Sequence, residues 1–321
     1  MKSAMSILIL PAVALATWNY EGQWGTYGGG NGQFYLPCYC AAAPASGYVY
    51  VADSNRDDVQ YFTWNGSFLG KWGTYGSGDG QFRYPAGVAV HPTTGYVYVA
   101  DGSNDRIQYF TPSGSFLGKW GSTGAGDGQL DNPRGITVAP GTGYVYVTEV
   151  HNDRVSYFTA AGSFVGKWGS LGSAAGQFRD PQGIVISPTT GNVYVADTVN
   201  QRIQYFTAAG SYLGGWGTLG EGQGQFNYPI GLAFSPDGQI LNVADSQNDR
   251  IQCFTPTGSY VGQWGETGAG NGQFQGPNDI ALNAAGDLSY VTDTYNSRIE
   301  YFRDTTNLKP ASWGRVKAVF R

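Results

Sequence analysis

The sequence has little charge and few of the residues that build catalytic metal centres. Charged residues make up 13% of its 321 positions, whereas aromatic residues make up 15%. Disordered chains show the opposite balance, so this composition indicates a folded chain. Two histidines, His91 and His151, are too few for a three-histidine zinc site. Three cysteines, Cys38, Cys40 and Cys253, are too few for a disulfide-built scaffold. We therefore expect no bound cofactor.

Basic residues and helix-forming residues are also scarce. Eighteen Lys and Arg against 23 Asp and Glu give a net charge of −5. Proteins that bind nucleic acids usually concentrate basic residues in one patch, so we expect no nucleic-acid partner. Fifty glycines and many Tyr, Val, Phe and Trp residues favour strands joined by tight turns.

The N-terminus has the pattern of an export signal. A basic residue, Lys2, precedes an apolar run that is too short to span a bilayer and ends in the small residues of 14–16. We expect an extracellular or cell-surface protein with no membrane span. If residues 1–16 are retained instead of cleaved, their apolar side chains need a partner surface; the first of these are Ile7, Leu8, Ile9 and Leu10.

One unit of about 48 residues repeats along the rest of the chain. A Trp-Gly pair marks the end of each unit, and a proline follows at the same distance in each of the six units. Such a period identifies a repeat architecture. The tryptophans are Trp24, Trp72, Trp120, Trp168, Trp216, Trp264 and Trp313.

Each unit contains four strand patterns. Between residues 80 and 121 they fall at 87–90, 96–100, 106–110 and 115–120, separated by segments rich in Gly, Pro, Asn and Asp. Six copies of four antiparallel strands predict an all-β fold, a six-bladed β-propeller of four-stranded blades. Residues 17–321 are expected to form this single domain.

The repeated motifs resemble the NHL repeat. They are Pro-x-Gly-Val or Ile, then Val-Tyr-Val-Ala-Asp, Asn-Asp-Arg-Ile-Gln-Tyr-Phe, and Gly-Ser-Phe-x-Gly-Lys-Trp-Gly, and they extend from residue 18 to about 314. The resemblance implies a six-bladed propeller around a central channel. Most of the family acts as binding platforms, and some relatives are enzymes.

The fourth strand pattern occurs seven times, once more than the others. The pattern over residues 19–24 or the weaker one over 310–313 can close the sixth blade. If the second closes it, the first is free to pair with a neighbouring molecule. The hypothetical assembly segment therefore includes Tyr20 and Trp24 with the apolar residues at 7–10.

An acidic residue ends the second strand of each unit, and an arginine opens the third strand in five units. A carboxylate and a guanidinium at the mouth of a hairpin form an ion pair, so we predict a structural lock in each of these blades. The pairs are Asp101 with Arg106, Glu149 with Arg154, Asp197 with Arg202, Asp245 with Arg250, and Asp293 with Arg298.

Blade one departs from this rule, because Asp58 stands where the arginine belongs, near Asp53 and Asp57. Drift of a degenerate blade is one explanation, and a Ca²⁺ site made by three carboxylates is the other. Cys38 and Cys40 face one side of a strand, either as packed thiols or as soft-metal ligands.

Two further groups of residues have a structural and a functional interpretation. The repeated tryptophans are expected to pack between blades, and the functional alternative is a surface on which a sugar or a peptide stacks. Asn65 begins an Asn-Gly-Ser glycosylation sequon in a predicted hairpin turn.

These features predict a non-enzymatic exported module that binds a protein partner or a second copy of itself, with head-to-tail filaments as one outcome. The alternative is a ligand-binding propeller or a metal-dependent enzyme of lyase or lactonase type. No catalytic or metal-ligating residues are predicted, because the repeated carboxylates are symmetric and mostly matched by arginines.

Overall fold

A computed structural model describes residues 17–305. Six four-stranded antiparallel sheets form a ring, which confirms the predicted six-bladed β-propeller. The apolar residues Ile7–Leu10 and the Trp-Gly copy at Trp313 lie outside the described residues. Within them, no helix is long and apolar enough to cross a membrane.

The chain's first strand, β1 (Trp18–Trp24), belongs to the last blade, and the blades then follow in chain order. Blade one contains β2 (Pro37–Ala42), β3 (Val49–Asp53), β4 (Asp58–Phe62) and β5 (Phe68–Trp72). Blade two contains β6 (Pro85–Val90), β7 (Val97–Asp101), β8 (Arg106–Phe110) and β9 (Phe116–Trp120). Blade three contains β10 (Pro133–Val138), β11 (Val145–Glu149), β12 (Arg154–Phe158) and β13 (Phe164–Trp168).

The second half of the ring repeats this order. Blade four contains β14 (Pro181–Ile186), β15 (Val193–Asp197), β16 (Arg202–Phe206) and β17 (Tyr212–Trp216). Blade five contains β18 (Pro229–Phe234), β19 (Leu241–Asp245), β20 (Arg250–Phe254) and β21 (Tyr260–Trp264). Blade six contains β22 (Pro277–Leu282), β23 (Leu288–Asp293) and β24 (Arg298–Asp304). Single 3₁₀ turns lie at Gly102–Asn104, Ser246–Asn248 and Thr294–Asn296.

Burial along the strands follows their distance from the channel. The inner strands, such as β6, contact one another around the ring. Every residue of β7 is buried, because a second strand is covered on both faces by neighbouring blades. The outer strand β9 alternates between half-buried and exposed residues, as expected for a strand with one solvated face.

Aromatic side chains fill the spaces between blades. Trp72 ends the outer strand of blade one and packs against Phe110 of blade two, with ring centroids 5.5 Å apart. Equivalent Trp–Phe contacts join all six pairs of neighbouring blades. The tryptophans therefore lie between blades, as the sequence indicated.

The N-terminal strand closes the ring within the same chain. β1 pairs with β24 in antiparallel register from Trp18 opposite Asp304 to Trp24 opposite Ile299. Tyr20 and Trp24, assigned above to an assembly segment, instead occupy the outer edge of blade six. Because β1 is already paired with β24 of its own chain, the alternative of a free N-terminal strand over these residues is wrong.

The close approach of Trp72 to the next blade leaves no room for a side chain at Gly114. Gly114 has φ of +89°, and a Cβ atom there would lie 2.6 Å from the Trp72 ring. Gly191 has a similar φ of +71° with nothing within 4 Å of a Cβ. We expect Gly191→Ala to cost about 1–2 kcal/mol of unfolding free energy and Gly114→Ala about 1–3 kcal/mol more. Denaturant unfolding measures both, and equal losses would contradict the packing argument.

Candidate binding site at the channel mouth

Strand register places two kinds of loop on one face of the ring. In blade two, Pro85 lies opposite Asp101, and Ile107 lies opposite Trp120. The loops between second and third strands and the loops between blades therefore share one face, here called the connection face. The remaining hairpin turns lie on the opposite side, here called the hairpin face.

The predicted lock pairs are in contact on the connection face. Arg106 Nε donates to Asp101 Oδ2 at 2.7 Å, and its terminal nitrogens donate to backbone carbonyls of the loop that crosses from blade one. The same carboxylate accepts the Arg83 N–H at 2.8 Å. The pair thus fastens the crossing loop to its blade. The equivalent distances are 2.7 Å for Arg154–Glu149, 2.6 Å for Arg202–Asp197, 2.8 Å for Arg250–Asp245 and 2.6 Å for Arg298–Asp293.

These carboxylates are fully buried, which makes the loss of a partner costly. Burial raises the pKa of Asp101, and the donors Arg83, Asn104 and Arg106 oppose this effect by stabilising the ionised form. Removing one member of a buried ion pair leaves the other charge without compensation. The lock is therefore expected to act as a unit.

Three consecutive residues of the loop have separate roles. Asn104 Nδ2 donates to the Gly76 carbonyl at 2.9 Å within the same crossing loop, next to the Arg106 contacts. Between them, Asp105 accepts the Asn132 N–H at 2.8 Å, at the start of the next blade. The Asn-Asp-Arg sequence therefore holds a blade's own loop and also joins that blade to its neighbour.

Blade one rebuilds the lock with Arg56, which stands at the position of Asn104 in blade two. Arg56 Nη1 donates to the carbonyls of Gly30 at 2.8 Å and Gln33 at 2.9 Å, and Nη2 lies 3.3 Å from Asp58. The arginine was missed because it stands two positions before the expected site. Blade one is thus a variant of the same lock.

The Ca²⁺ alternative for blade one does not fit this geometry. Arg56 lies beside both Asp53 and Asp58, while Asp57 points to the next blade and accepts the Tyr84 N–H at 2.8 Å. Burial raises the pKa of Asp58 to about 6. Within residues 17–305, no group of three or more His, Cys, Asp or Glu side chains is placed to hold a metal ion.

Blade six differs from its neighbours inside the lock. In blade five, Gln252 donates to the Gln225 carbonyl at 2.7 Å and to Asp245 at 3.0 Å. Glu300 occupies this position in blade six and lies 2.9 Å from Arg298. Burial raises the pKa of Glu300 to about 7, because an ionised carboxylate is poorly solvated there.

The cysteines and histidines do not form a common site. Cys38, Cys40 and Cys253 are buried free thiols, and burial raises the pKa of Cys38 to about 11. His151 Nδ1 lies 2.8 Å from Asp131 Oδ1 on the connection face. His91 accepts the N–H groups of residues 93 and 94 in its own hairpin turn.

Asn65 of the sequon is exposed in the turn between β4 and β5. Its side-chain oxygen lies 2.6 Å from Thr63 Oγ1. Glycosylation at this position stays a prediction.

The departure from six-fold symmetry is largest where the inner strands begin. The residue after the repeated proline differs in every blade, and the residue before it differs in all blades except two, which both have tyrosine. The residues after it are Cys38, Ala86, Arg134, Gln182, Ile230 and Asn278; those before it are Leu36, Tyr84, Asn132, Asp180, Tyr228 and Gly276. All lie at the connection-face end of the channel, here called the mouth. The mouth therefore carries a set of polar side chains that the other repeated positions do not share.

Charged and aromatic side chains meet at the mouth. The Arg134 guanidinium lies 4.8 Å from the Tyr84 ring centroid. Tyr228 donates to Asp180 Oδ2 at 3.4 Å and accepts from Gln182 at 3.4 Å. Burial raises the pKa of Asp180, and the charge of Arg134 opposes this effect. The mouth thus offers a cation and an anion that are separated from each other by more than 4 Å.

The backbone holds these side chains in place. Tyr84, Asn132, Asp180 and Tyr228 all have positive φ, between +49° and +64°, a conformation that is strained for residues other than glycine. Each of their N–H groups is bound by a side chain of the preceding blade, as Asp153 binds Asp180 at 2.9 Å. The mouth is therefore preorganised by contacts between blades.

A cavity of about 330 Å³ lies in the channel beneath the mouth. Its walls are mainly apolar and include Ile136, Ile184 and Leu232. At the mouth end, blades one and six contribute Tyr39 and Asp279, where the other four blades have glycine.

Asp279 also joins the last blade to the first. Its Oδ2 accepts the Cys40 N–H at 3.0 Å, and Asn278 donates to the Cys38 carbonyl at 3.1 Å. Burial raises the pKa of Asp279 to about 8. The seam of the ring thus depends in part on Asp279, at a position where four other blades have glycine.

The repeated blades and their locks define a class of protein, a six-bladed propeller built from NHL-type units. The NHL repeat model matches the chain at residues 82–110, 178–206 and 226–254. The chain therefore contains NHL repeats at these three positions and folds as a six-bladed β-propeller, which confirms the resemblance of its motifs. A comparison with curated proteins finds no match.

Solved structures share the fold at low sequence identity. Hydrazine synthase of Kuenenia stuttgartiensis has a TM-score of 0.60 and 12% identity, covering 85% of this chain and 97% of that one. Virginiamycin B lyase from Staphylococcus aureus has a TM-score of 0.56 and 14% identity, covering 84% and 95%. A chain of a nidogen/laminin complex has a TM-score of 0.55 and 17% identity, covering 71% and 79%. These similarities establish the fold alone.

The lock in blade two is tested by a double-mutant cycle on Asp101 and Arg106. We expect Asp101→Ala and Arg106→Ala each to destabilise the fold, with a coupling of about 1–3 kcal/mol, because the pair is buried and hydrogen-bonded. Denaturant unfolding of the four proteins measures the coupling. A coupling near zero would show that the pair does not act as a lock.

The buried carboxyl of blade six predicts a pH dependence. Because the folded pKa of Glu300 is raised to about 7 from 4.5, its stabilising contribution is present at acid pH and is lost as the pH rises through 7. The unfolding free energy of the Glu300→Gln variant should therefore exceed that of the wild type by about 2–3 kcal/mol at pH 8.5 and by much less at pH 5. Glu221→Gln, in an exposed loop, is the charge-matched control. A gain independent of pH would contradict this assignment.

Proposed function

We propose that this NHL propeller is an exported, non-enzymatic platform that binds a protein partner on its connection face. The signal-like segment at residues 1–16 supports export to an extracellular or cell-surface location. The partner is another protein or a second copy of this chain, and the latter includes the head-to-tail filaments predicted from sequence.

One observation carries this proposal: large apolar side chains are exposed around an asymmetric polar centre on the same face. Tyr27 is 74% exposed, Tyr75 68%, Leu171 62% and Leu219 66%, all in the loops that cross between blades. Interfaces combine such aromatic and aliphatic groups with arginine. The mouth supplies Arg134 at the centre of this face.

The enzymatic alternative has weaker support. A lyase shares the fold, but at an identity that carries no function. Arg134 and Asp180 come from adjacent blades, but Arg134 has no acid within 4 Å among residues 17–305. Recognition of a ligand needs only this arrangement, whereas catalysis needs a nucleophile or base beside it.

The test compares leucines on two surfaces. Leu171→Arg and Leu219→Arg alter the connection face, and Leu117→Arg alters an outer strand where the leucine is 40% exposed. The full-length proteins are immobilised and exposed to the secreted proteins of the natural source, and light scattering follows self-association.

We expect the wild type and Leu117→Arg to retain the same partner, and the two connection-face variants to retain at least about tenfold less, because a buried arginine charge is costly in an interface. Circular dichroism checks that all variants are folded. Equal retention by all four proteins would place the binding surface elsewhere.

A further inference from the structure

Arg134 differs from the other arginines of the described chain. The six lock arginines, Arg56 included, lie beside carboxylates, and Arg303 contacts Glu21 and Asp287. Arg83 and Arg179 are exposed. Arg134 is partly enclosed, its Nε is buried without a hydrogen-bond partner, and no carboxylate lies within 4 Å of it among residues 17–305.

An enclosed guanidinium without a counterion is unfavourable unless a partner completes it. The Tyr84 ring, 4.8 Å from the guanidinium carbon, compensates part of the lost solvation through a cation–π contact. A stacked guanidinium keeps its N–H groups in the plane of the fork, where they can bind a planar anion.

Two more unpartnered polar atoms lie near Arg134. Asp180 Oδ1 and the Tyr39 hydroxyl are buried without hydrogen-bond partners, and both residues interact electrostatically with Arg134. Six other such atoms are the indole nitrogens repeated in every blade. Unsatisfied groups that come from three different blades and meet at one place are characteristic of a ligand site.

We propose that the mouth binds a carboxylate group, with Arg134 as its receptor and Asp180 as the acceptor for a hydrogen-bond donor next to that carboxylate. This inference rests on the proposed binding function of the connection face. The carboxylate belongs either to a small free acid or to the C-terminus of a polypeptide, since both present the same group.

The charges at the mouth favour a carboxylate over a phosphate. One guanidinium supplies a single positive charge, and Asp180 is a nearby carboxyl that repels a second negative charge. A monoanionic, planar group matches the fork of Arg134 and leaves Asp180 free for a donor. The second negative charge of a dianionic phosphate would have no cation to pair with at the mouth.

The experiment uses the full chain and isothermal titration calorimetry with four probes. They are sodium acetate, N-acetyl-dialanine with a free C-terminal carboxylate, the C-terminal amide of the same dipeptide, and inorganic phosphate. Arg134→Gln removes the charge, and Arg134→Lys keeps the charge without the fork. Arg83→Gln is the matched control, because Arg83 lies 5.0 Å from the Tyr75 ring in the same kind of contact but is exposed.

We expect the wild type and Arg83→Gln to bind acetate or the dipeptide acid saturably, and not the amide. Arg134→Gln should bind at least about tenfold more weakly than the wild type, because it loses the positive charge. The affinity of Arg134→Lys should lie between those of the wild type and Arg134→Gln, because lysine keeps the charge but cannot make the bidentate contact. Asp180→Asn should bind acetate more tightly, since it removes the repelling charge. A purely structural role for Asp180 predicts no such gain.

The two carboxylate probes distinguish the sources. Binding of both supports a free acid, and binding of the dipeptide acid alone supports a polypeptide C-terminus. The proposal is overturned if neither binds the wild type, if Arg134→Gln binds within twofold of the wild type, or if phosphate binds more tightly than both acids. In those cases, a partner that is still lost from Leu171→Arg preserves the proposed function and removes only the carboxylate site.

Discussion

The buried carboxylate at the end of each second strand is the interaction on which the rest of the propeller depends. A loop must leave the outer strand of one blade, cross its neighbour and enter at the channel, and such loops carry many backbone groups that need partners. In blade two, Asp101 accepts a loop N–H, and Arg106, held by that carboxylate, donates to three loop carbonyls. The loop is therefore fixed by the blade that it enters, which places the inner strand and the mouth residues.

Contacts between blades make the ring one cooperative unit. Asp105 binds the N–H that precedes the next inner strand, and Trp72 packs beneath the turn at Gly114. Asp105 is adjacent to the lock residue Arg106, so we expect a disturbed lock to affect the next blade as well as its own. Trp72 ends the outer strand of its blade and contacts the next blade. At the seam, β1 supplies the last strand, and Asp279 bonds blade six to blade one. Ring closure gives every blade two neighbours, so both faces of its middle strands are covered.

The repeat period and strand alternation were enough to predict the fold, the lock pairs and the packing of the tryptophans. They were not enough for blade one, because Arg56 reaches the same carbonyls from a position two residues earlier. They also failed at the mouth. Arg134, Asp180 and Tyr228 are more than 40 residues apart and become neighbours only when the inner strands converge. A signal was present, since residues around the repeated proline vary between blades whose other positions hardly change.

This contrast separates architecture from recognition. Positions that every blade needs, such as the lock and the tryptophan that packs against the next blade, are repeated, because a change there costs stability in each blade. The mouth residues face the end of the channel, where six blades contribute once each to a shared space. Variation there costs little and creates a single asymmetric site from a symmetric scaffold. The left-handed backbone of Asp180, held by Asp153 of the preceding blade, recurs at the equivalent positions of other blades, so the repeated scaffold fixes the positions of these varied side chains.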